Sequence, residues 1–226
     1  MATDVSIVIA YRDLGDAHRR ASFDYVHMWY ARLGWEVIVE PGPEPFSRAR
    51  ALNAAIRKAS GKVIVQSDPD SVVPDDQLFP AVRLAADSDG LVVPHNRYLY
   101  LTEAATVAVL ARGFITDVGP ADCDEYGMNG FGNVTVFSRS TWELSGGFDE
   151  RFGMYGGDDA CFAYSAAAFC RPTRRIAGDM VHLWHPRLPQ SVPGHPGYSE
   201  QFAIVAEYRD AAATGPAAVR DLVRSR

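Results

Sequence analysis

Lysine is nearly missing from this chain. It occurs only at positions 58 and 62, so arginine carries almost all of the positive charge. We read that bias as genome composition first and phosphate recognition second. The formal net charge is -6, which removes the global basic footprint of a nucleic-acid binder and leaves only a local basic groove open. Cysteine is also scarce. Cys123, Cys161 and Cys170 are an odd number with no short repeated spacing, which argues against a disulfide framework or a zinc site. No window reaches the roughly 18 apolar residues of a membrane span. The N-terminus enters a short apolar run, Val5 to Ala10, without a basic flank or a long hydrophobic region. The reading therefore predicts no leader peptide and a soluble, cytoplasmic protein. Repeats, low-complexity linkers and clean domain boundaries are absent too. What remains is an ordinary globular composition, 47% hydrophobic and 22% charged over 226 residues, enough for one large domain with its own core.

The order of elements points to an α/β fold. Val5 to Ala10 reads as a buried strand of a sheet covered on both faces. Residues 17–33 read as a helix with Phe23, Val26, Trp29 and Leu33 on one face, ended by Gly34. Trp35 to Glu40 is a second strand, stopped by Pro41-Gly42-Pro43. Ser47 caps a helix to about Ser60, and residues 62–67 form a third strand. A β-α-β-α-β unit is thus complete within 70 residues, which predicts right-handed crossovers and a parallel sheet. Further on, 77–86 reads as a helix, 90–94 as a strand and 103–112 as a helix. The stretch 113–130 reads as a loop. A strand at 132–138 precedes a short helix at 140–144. Helices are expected at 158–169 and 199–212, a last strand within 176–183, and a proline-rich loop at 186–196.

Three constellations carry chemistry. Asp68-Pro69-Asp70 leaves the third strand. Pro69 biases Asp68 toward an extended backbone, so both carboxylates are expected to face one ligand, a hard divalent cation that could hold a diphosphate. Asp122-Cys123-Asp124 has the same spacing with no strand before it, and spacing alone is weak evidence. Gly146-Gly147-Phe148-Asp149-Glu150-Arg151-Phe152 and then Tyr155-Gly156-Gly157-Asp158-Asp159 form the second. Its glycines permit tight turns and close ligand approach. Asp158 and Asp159 open a helix, where one serves as a cap and the other as a candidate general base. The third is Met180-Val181-His182-Leu183-Trp184-His185-Pro186, in which His182 or His185 could complete a metal site begun by the aspartates. Asn133 and the stretch His95 to Tyr100 are candidate sugar or acceptor contacts.

In this order, these elements resemble glycosyltransferases of the GT-A fold. Among them they are most similar to family-2-type enzymes with a galactosyltransferase-like C-terminal region. The segments that carry the likeness are Val5–Asp13, Ser47–Pro74, Gly132–Phe152, Gly156–Phe162 and His182–Pro186. The resemblance implies a single GT-A domain with a Rossmann-like, mostly parallel sheet flanked by helices. It implies a nucleotide-sugar half at about 1–94, an acceptor half at about 95–198 and a C-terminal helix at about 199–226. It further implies a sugar moved from a nucleoside diphosphate sugar, UDP-sugar favoured, to an acceptor hydroxyl with inversion, using Mn²⁺ or Mg²⁺. By resemblance Asp68 lies near the ribose and Asp70 binds the metal, completed by His182 in preference to His185. Tyr11, Arg12, Asp13 and Glu40 meet the base and ribose, and Arg48 approaches the nucleotide. Asp158 binds the acceptor, Asp159 is the base, and Tyr155, Gly157 and Asn133 flank the acceptor. The familiar acidic pair of such enzymes is Glu-Asp preceded by Trp-Gly; here it is Asp-Asp preceded by Tyr155-Gly156-Gly157, which leaves acceptor identity open among a saccharide, a small molecule, a protein and modified DNA.

Two other readings stand beside it. A nucleotidyltransferase acting on a sugar phosphate would want a Gly-rich basic loop after the first strand, and Tyr11-Arg12-Asp13-Leu14-Gly15-Asp16 is a poor version. A non-catalytic nucleotide-sugar-binding protein would not need the intact acidic residues.

Overall fold

The structure is a computed structural model that describes residues 4–115, 117–153, 156–187 and 194–226. Strand β1 (Val5–Ala10) is buried at every position. Helix α1 (Ala17–Ala31) follows, capped by Asp16, whose carboxylate accepts from the Arg19 N–H at 2.9 Å. Strand β2 (Glu36–Glu40) comes next. Helix α2 (Arg48–Lys58) is capped by Ser47, whose hydroxyl accepts from the Arg50 N–H at 3.3 Å. Each such cap satisfies an orphan donor and contributes about 1 kcal/mol. Strand β3 (Val63–Ser67) closes the unit, and β2 and β3 flank β1, both parallel to it. The rest of the chain runs β4 (Ser71–Val72), α3 (Asp75–Asp87), β5 (Gly90–Val93), β6 (Arg97–Leu101), α4 (Glu103–Arg112), β7 (Cys123–Met128), β8 (Val134–Ser138), α5 (Arg139–Leu144), α6 (Asp158–Phe169), β9 (Arg171–Arg175), β10 (Asp179–His182), α7 (Pro196–Thr214) and α8 (Pro216–Ser225).

The central sheet has the order β2-β1-β3-β8-β5-β9. Only β8 runs against its neighbours; the other pairings are parallel. The expected mostly parallel α/β sheet is therefore present. Alternation along β1 sends Ile7 and Ile9 to one face and Val8 and Ala10 to the other. The first pair packs with Val26 and Tyr30 of α1 and with Leu78 and Val82 of α3. The second packs with Leu52 and Ile56 of α2, Phe162 of α6 and Tyr208 of α7. Both faces are covered, which is why β1 and β3 read as continuous apolar runs rather than alternating ones. A second sheet, β4-β10-β6-β7, stands where the chain leaves β3.

Four expectations need correction. Part of 113–130, expected as a loop, is strand β7, antiparallel to β6. The aromatic stretch at 97–101 is itself strand β6. Strand β9 was not anticipated, because Arg-Pro-Thr-Arg-Arg has no apolar alternation. Both β7 and β9 are edge strands, where charge and exposure replace hydrophobic pattern as protection against mispairing. Helix α8 was also missed; its Val219 and Val223 are buried against the second core cluster.

Close approach between the end of α2 and β1 gives a direct test of packing. A Cβ at Gly61 would lie 2.5 Å from the Ser6 nitrogen and 2.7 Å from the Val5 carbonyl carbon. Gly61→Ala is expected to destabilise the protein by about 1–3 kcal/mol through overpacking against backbone. The readout is a lower urea midpoint at unchanged m-value; an unchanged midpoint would refute the packing argument.

Candidate active site

A cavity of about 820 Å³ opens at the carboxyl ends of β1 and β3. That is where open α/β sheets bind ligands. Tyr11, Arg12, Arg48, Asp68, Asp70, Asn133, His182 and His185 all line it.

The segment Asp68-Pro69-Asp70 is a turn, not an extension of β3. The Ser71 N–H donates to the Asp68 carbonyl at 3.4 Å, and the Ser67 hydroxyl donates to the Asp68 carbonyl at 3.0 Å. As a result the two carboxylates engage different partners rather than a common one, which corrects the sequence expectation.

Asp70 faces the histidines. Antiparallel pairing of β4 with β10 sets His182 opposite Ser71, and the Leu183 N–H donates to the Asp70 carbonyl at 2.8 Å. Asp70 Oδ1 lies 3.3 Å from His182 Nε2, and Oδ2 lies 3.1 Å from His185 Nε2. The donor atoms of all three residues lie within 4.8 Å of one another. Ligands about 2.1 Å from a shared cation lie ~3 Å apart at right angles, so the spacing fits a divalent ion. Burial pushes Asp70 up, but His182 and His185 outweigh it and hold the carboxyl below the usual range. Burial pulls His182 down to about 4, so its ring is neutral at pH 7, the state that ligates a metal. Burial opposes charge on His185 as well, yet its hydrogen bond to Asp70 and the attraction of that carboxylate raise it. His185 Nδ1 lies 3.0 Å from the Pro186 carbonyl, an acceptor, so Nδ1 carries a proton and Nε2 points to Asp70. His182 stacks on Tyr100 with centroids 4.2 Å apart. Both histidines therefore reach the candidate metal position, where the resemblance had favoured His182.

Asp68 turns instead to Arg48. Nε and Nη2 of Arg48 donate to Asp68 Oδ1 at 2.9 and 2.5 Å. Nη1 donates to Asp158 Oδ2 at 2.5 Å and to Asp159 Oδ1 at 3.0 Å. The Arg48 side chain is 9% exposed, Asp158 3% and Asp159 20%. One guanidinium thus serves three carboxylates. Burial, partly offset by Arg48, pushes Asp68 up to about 8 and Asp159 up to about 6, with Asp158 adding to the rise at Asp159. Helix α6 begins at Asp158, with Gly157 at φ +88° in the preceding position. Gly132, at φ +90°, brings its backbone against Asp159 Oδ2, where a side chain would collide.

Asn133 is left-handed at φ +61°, and its carbonyl accepts from the Asp68 N–H at 2.7 Å. Its amide reaches the Tyr100 hydroxyl at 3.4 Å. Arg175 holds the preceding loop by donating to the Gly130 and Asn129 carbonyls at 2.8 and 3.0 Å. Tyr11 stacks on Phe23 at 3.9 Å, and Arg12 donates to the carbonyls of Pro41, Gly42 and Pro43.

Other expected residues sit away from the cavity lining, and Asp158 and Asp159, behind Arg48, are among them. Asp13 accepts from the Gly15 N–H and pairs with Arg20, and Glu40 pairs with Lys58. Gly157 packs toward Val205 of α7. Tyr155 lies outside the described residues. Asp124, of the Asp122-Cys123-Asp124 spacing set aside as weak, and Trp184 also line the cavity; conversely, Phe46, Arg19, Arg187 and Glu125 line it without having been singled out. Tertiary contact alone brings them there, and no local signal in the sequence distinguishes them.

The raised Asp159 group has a consequence for stability. Its folded pKa of about 6 lies above the unfolded value near 3.9, so the folded state binds more protons between them. Stability from this group is present below pH ~4 and is lost as pH rises through 6. Asp159→Asn is expected to raise stability by about 1–3 kcal/mol at pH 7.5, with the gain shrinking toward pH 4. Denaturation curves at the two pH values check this; a pH-independent difference would defeat it.

Residues 22–111 match the sequence model of glycosyl transferase family 2, less than half of the chain. No curated protein sequence matches. Among solved structures, mannosyltransferase PcManGT from Pyrobaculum calidifontis, in complex with GDP-Man and Mn²⁺, is similar over 98% of this chain and 68% of its own, at 16% identity and a TM-score of 0.54. Glucosyl-3-phosphoglycerate synthase from Mycobacterium tuberculosis, in complex with Mn²⁺, UDP-glucose and phosphoglyceric acid, is similar over 92% of this chain and 80% of its own, at 12% identity and a TM-score of 0.51. TarS from S. aureus, residues 1–349, is similar over 91% of this chain and 65% of its own, at 8% identity and a TM-score of 0.50. The chain thus spans about two thirds of the length of two of these structures and four fifths of the third, and what it shares with them is the fold. Residues 22–111 are thus similar to glycosyl transferase family 2, and the chain as a whole shares the fold of these solved glycosyltransferase structures.

Proposed function

We propose that this chain moves a glycosyl group from a nucleoside diphosphate sugar, with a UDP-sugar favoured, to an acceptor hydroxyl, with a divalent cation bound and with inversion at the anomeric carbon. The observation that carries the reading is the convergence of Asp70, His182 and His185 on the cavity at the ends of β1 and β3. One carboxylate and two imidazoles suit Mn²⁺ better than Mg²⁺, which prefers an all-oxygen shell. The Mn²⁺ and nucleotide sugars held by the mannosyltransferase and the synthase support a divalent cation and leave the nucleotide base open.

When bound, the cation would neutralise charge building on the leaving diphosphate. The chain's own residues supply the rest. Tyr11 and Arg12, at the end of β1, would meet the nucleotide, with Asp13 and Glu40 bracing the loops around them. Asp68 would sit by the ribose. The nucleotide-sugar half at about 1–94 would provide these contacts and the half at about 95–198 the acceptor side. There Asp158 is sealed against Arg48, and Asp159 keeps the greater access. As base, Asp159 would take the acceptor hydroxyl proton. The hydroxyl oxygen bonds to the sugar C1 from the face opposite the diphosphate, the C1–O bond breaks, and the electron pair leaves with the nucleoside diphosphate. A carboxylate raised to about 6 is ionised at pH 7 and is a stronger base than an ordinary aspartate.

A panel of nucleotide sugars with Mn²⁺, read by thermal shift and by release of nucleoside diphosphate, tests the reading. Asp70→Ala, or chelation of wild type with EDTA, is expected to lower Mn²⁺-dependent UDP affinity and turnover at least ~10-fold. Asp159→Asn is expected to keep UDP binding while transfer falls by about 10²–10⁴. Near-normal turnover in Asp70→Ala would remove the metal assignment, and retained transfer in Asp159→Asn would remove the base.

A further inference from the structure

The geometry points to Arg48 as the positioning residue of the general base rather than a contact for the nucleotide. This rests on the assignment of Asp159 as base and extends it to a residue that the resemblance had placed on the donor. Arg48 is the first residue of α2. Ser47, just before it, donates to the Phe152 carbonyl at 2.6 Å and pins that helix start to the loop leading to α6. The guanidinium is a planar fork of five N–H donors. Four contacts already use it: two on Asp68 Oδ1, one on Asp158 Oδ2 and one on Asp159 Oδ1. At most one N–H remains for a ligand, and the side chain is 9% exposed.

The fork decides which oxygen of Asp159 works. With Oδ1 held by Nη1 at 3.0 Å, Oδ2 is the atom turned to the Gly132 backbone. Gly132 belongs to the loop that carries Asn133 along the cavity. The Arg48 hydrogen bond goes to Oδ1, which leaves Oδ2 as the oxygen of Asp159 to take a proton. The same fork ties the base to Asp68, so that the donor-side aspartate and the base move as one unit. The charged groups facing Asp159 are Arg48 from α2, Asp158 from its own helix and Asp68 from the turn after β3. Arg48 is the cation among them, and it favours the ionised base against burial and against the like charge of Asp158.

The test compares wild type, Arg48→Lys, Arg48→Gln, Asp159→Asn and the double variant Arg48→Gln/Asp159→Asn, all as the full chain. UDP and GDP with Mn²⁺ probe binding, and the nucleotide sugar that wild type turns over probes the reaction. Arg48→Gln is expected to move the acid limb of the kcat–pH profile upward by about one unit or more. It should also lower kcat at pH 7 by at least ~10-fold, with nucleotide affinity changed less than about threefold. Arg48→Lys, which keeps the charge but not the fork, should hold the limb near its wild-type position and lose part of kcat. Adding Arg48→Gln to Asp159→Asn should cost nothing further, as expected for two residues acting through one group. If Arg48→Gln fails to fold, the Lys variant and its pH profile carry the decision. A wild-type acid limb in Arg48→Gln, a wild-type kcat and profile in Arg48→Lys, additive losses in the double variant, or a defect confined to nucleotide affinity would each overturn the inference. A wild-type protein that binds neither nucleotide with Mn²⁺ and hydrolyses no nucleotide sugar would instead overturn the glycosyl-transfer reading beneath it.

Discussion

A buried guanidinium between three carboxyl groups is the interaction around which the candidate site of this protein is arranged. Taking a guanidinium and ionised carboxylates out of water costs several kcal/mol per ion, and burial accordingly pushes Asp68 and Asp159 toward their protonated forms. The geometry limits the cost: every contact of Arg48 is a charge-assisted hydrogen bond, and the helix that carries it is anchored at its first turn. Asn53, one turn further along α2, adds to that anchorage by donating to the Phe148 carbonyl at 2.9 Å and accepting from the Phe148 N–H at 3.0 Å. The N-terminal β-α-β-α-β unit and the later acidic helix are therefore joined by polar contacts at the site and by the second hydrophobic cluster beneath it.

The candidate metal-binding constellation depends on a different constraint. Asp70 and the two histidines are more than a hundred residues apart in the chain. The pairing of β4 with β10 fixes their register to the residue, because His182 faces Ser71 directly. A slip of one position would turn His182 to the other face of the small sheet. The two histidines then differ for a physical reason: His182 is the more enclosed and stays neutral, while the carboxylate of Asp70 raises His185, which is steadied by the Pro186 carbonyl. The aspartates of the Asp68-Pro69-Asp70 turn divide in the same manner. Asp70 joins imidazoles that favour its charge, and Asp68 shares one cation with two other carboxylates.

Much of this was legible from the chain alone. Two-sided burial makes β1 and β3 continuous apolar runs, and Ser47 marks the start of α2 by the chemistry of an N-cap. The acidic turn after β3, the Asp158-Asp159 helix start and the His182/His185 segment stand out because residue type and spacing are local properties. Strands β7 and β9 were hidden for the complementary reason. Edge strands bury little, so Asp124, Glu125, Arg174 and Arg175 carry no hydrophobic alternation to read. Asp13 and Glu40 were placed at the nucleotide by resemblance, yet nearby Arg20 and Lys58 pair with their carboxylates.

The sequence by itself determined the α/β class, the order of elements and the residue types able to hold a cation or take a proton, since these follow from periodicity, capping and side-chain chemistry within a few residues. Only the tertiary structure decided how those groups are shared. Which side chains Asp68 and Asp70 engage, which histidine reaches Asp70, and which carboxyl groups Arg48 holds are matters of distance between segments far apart in the chain. Such distances are set by strand register and helix packing, and no local pattern records them.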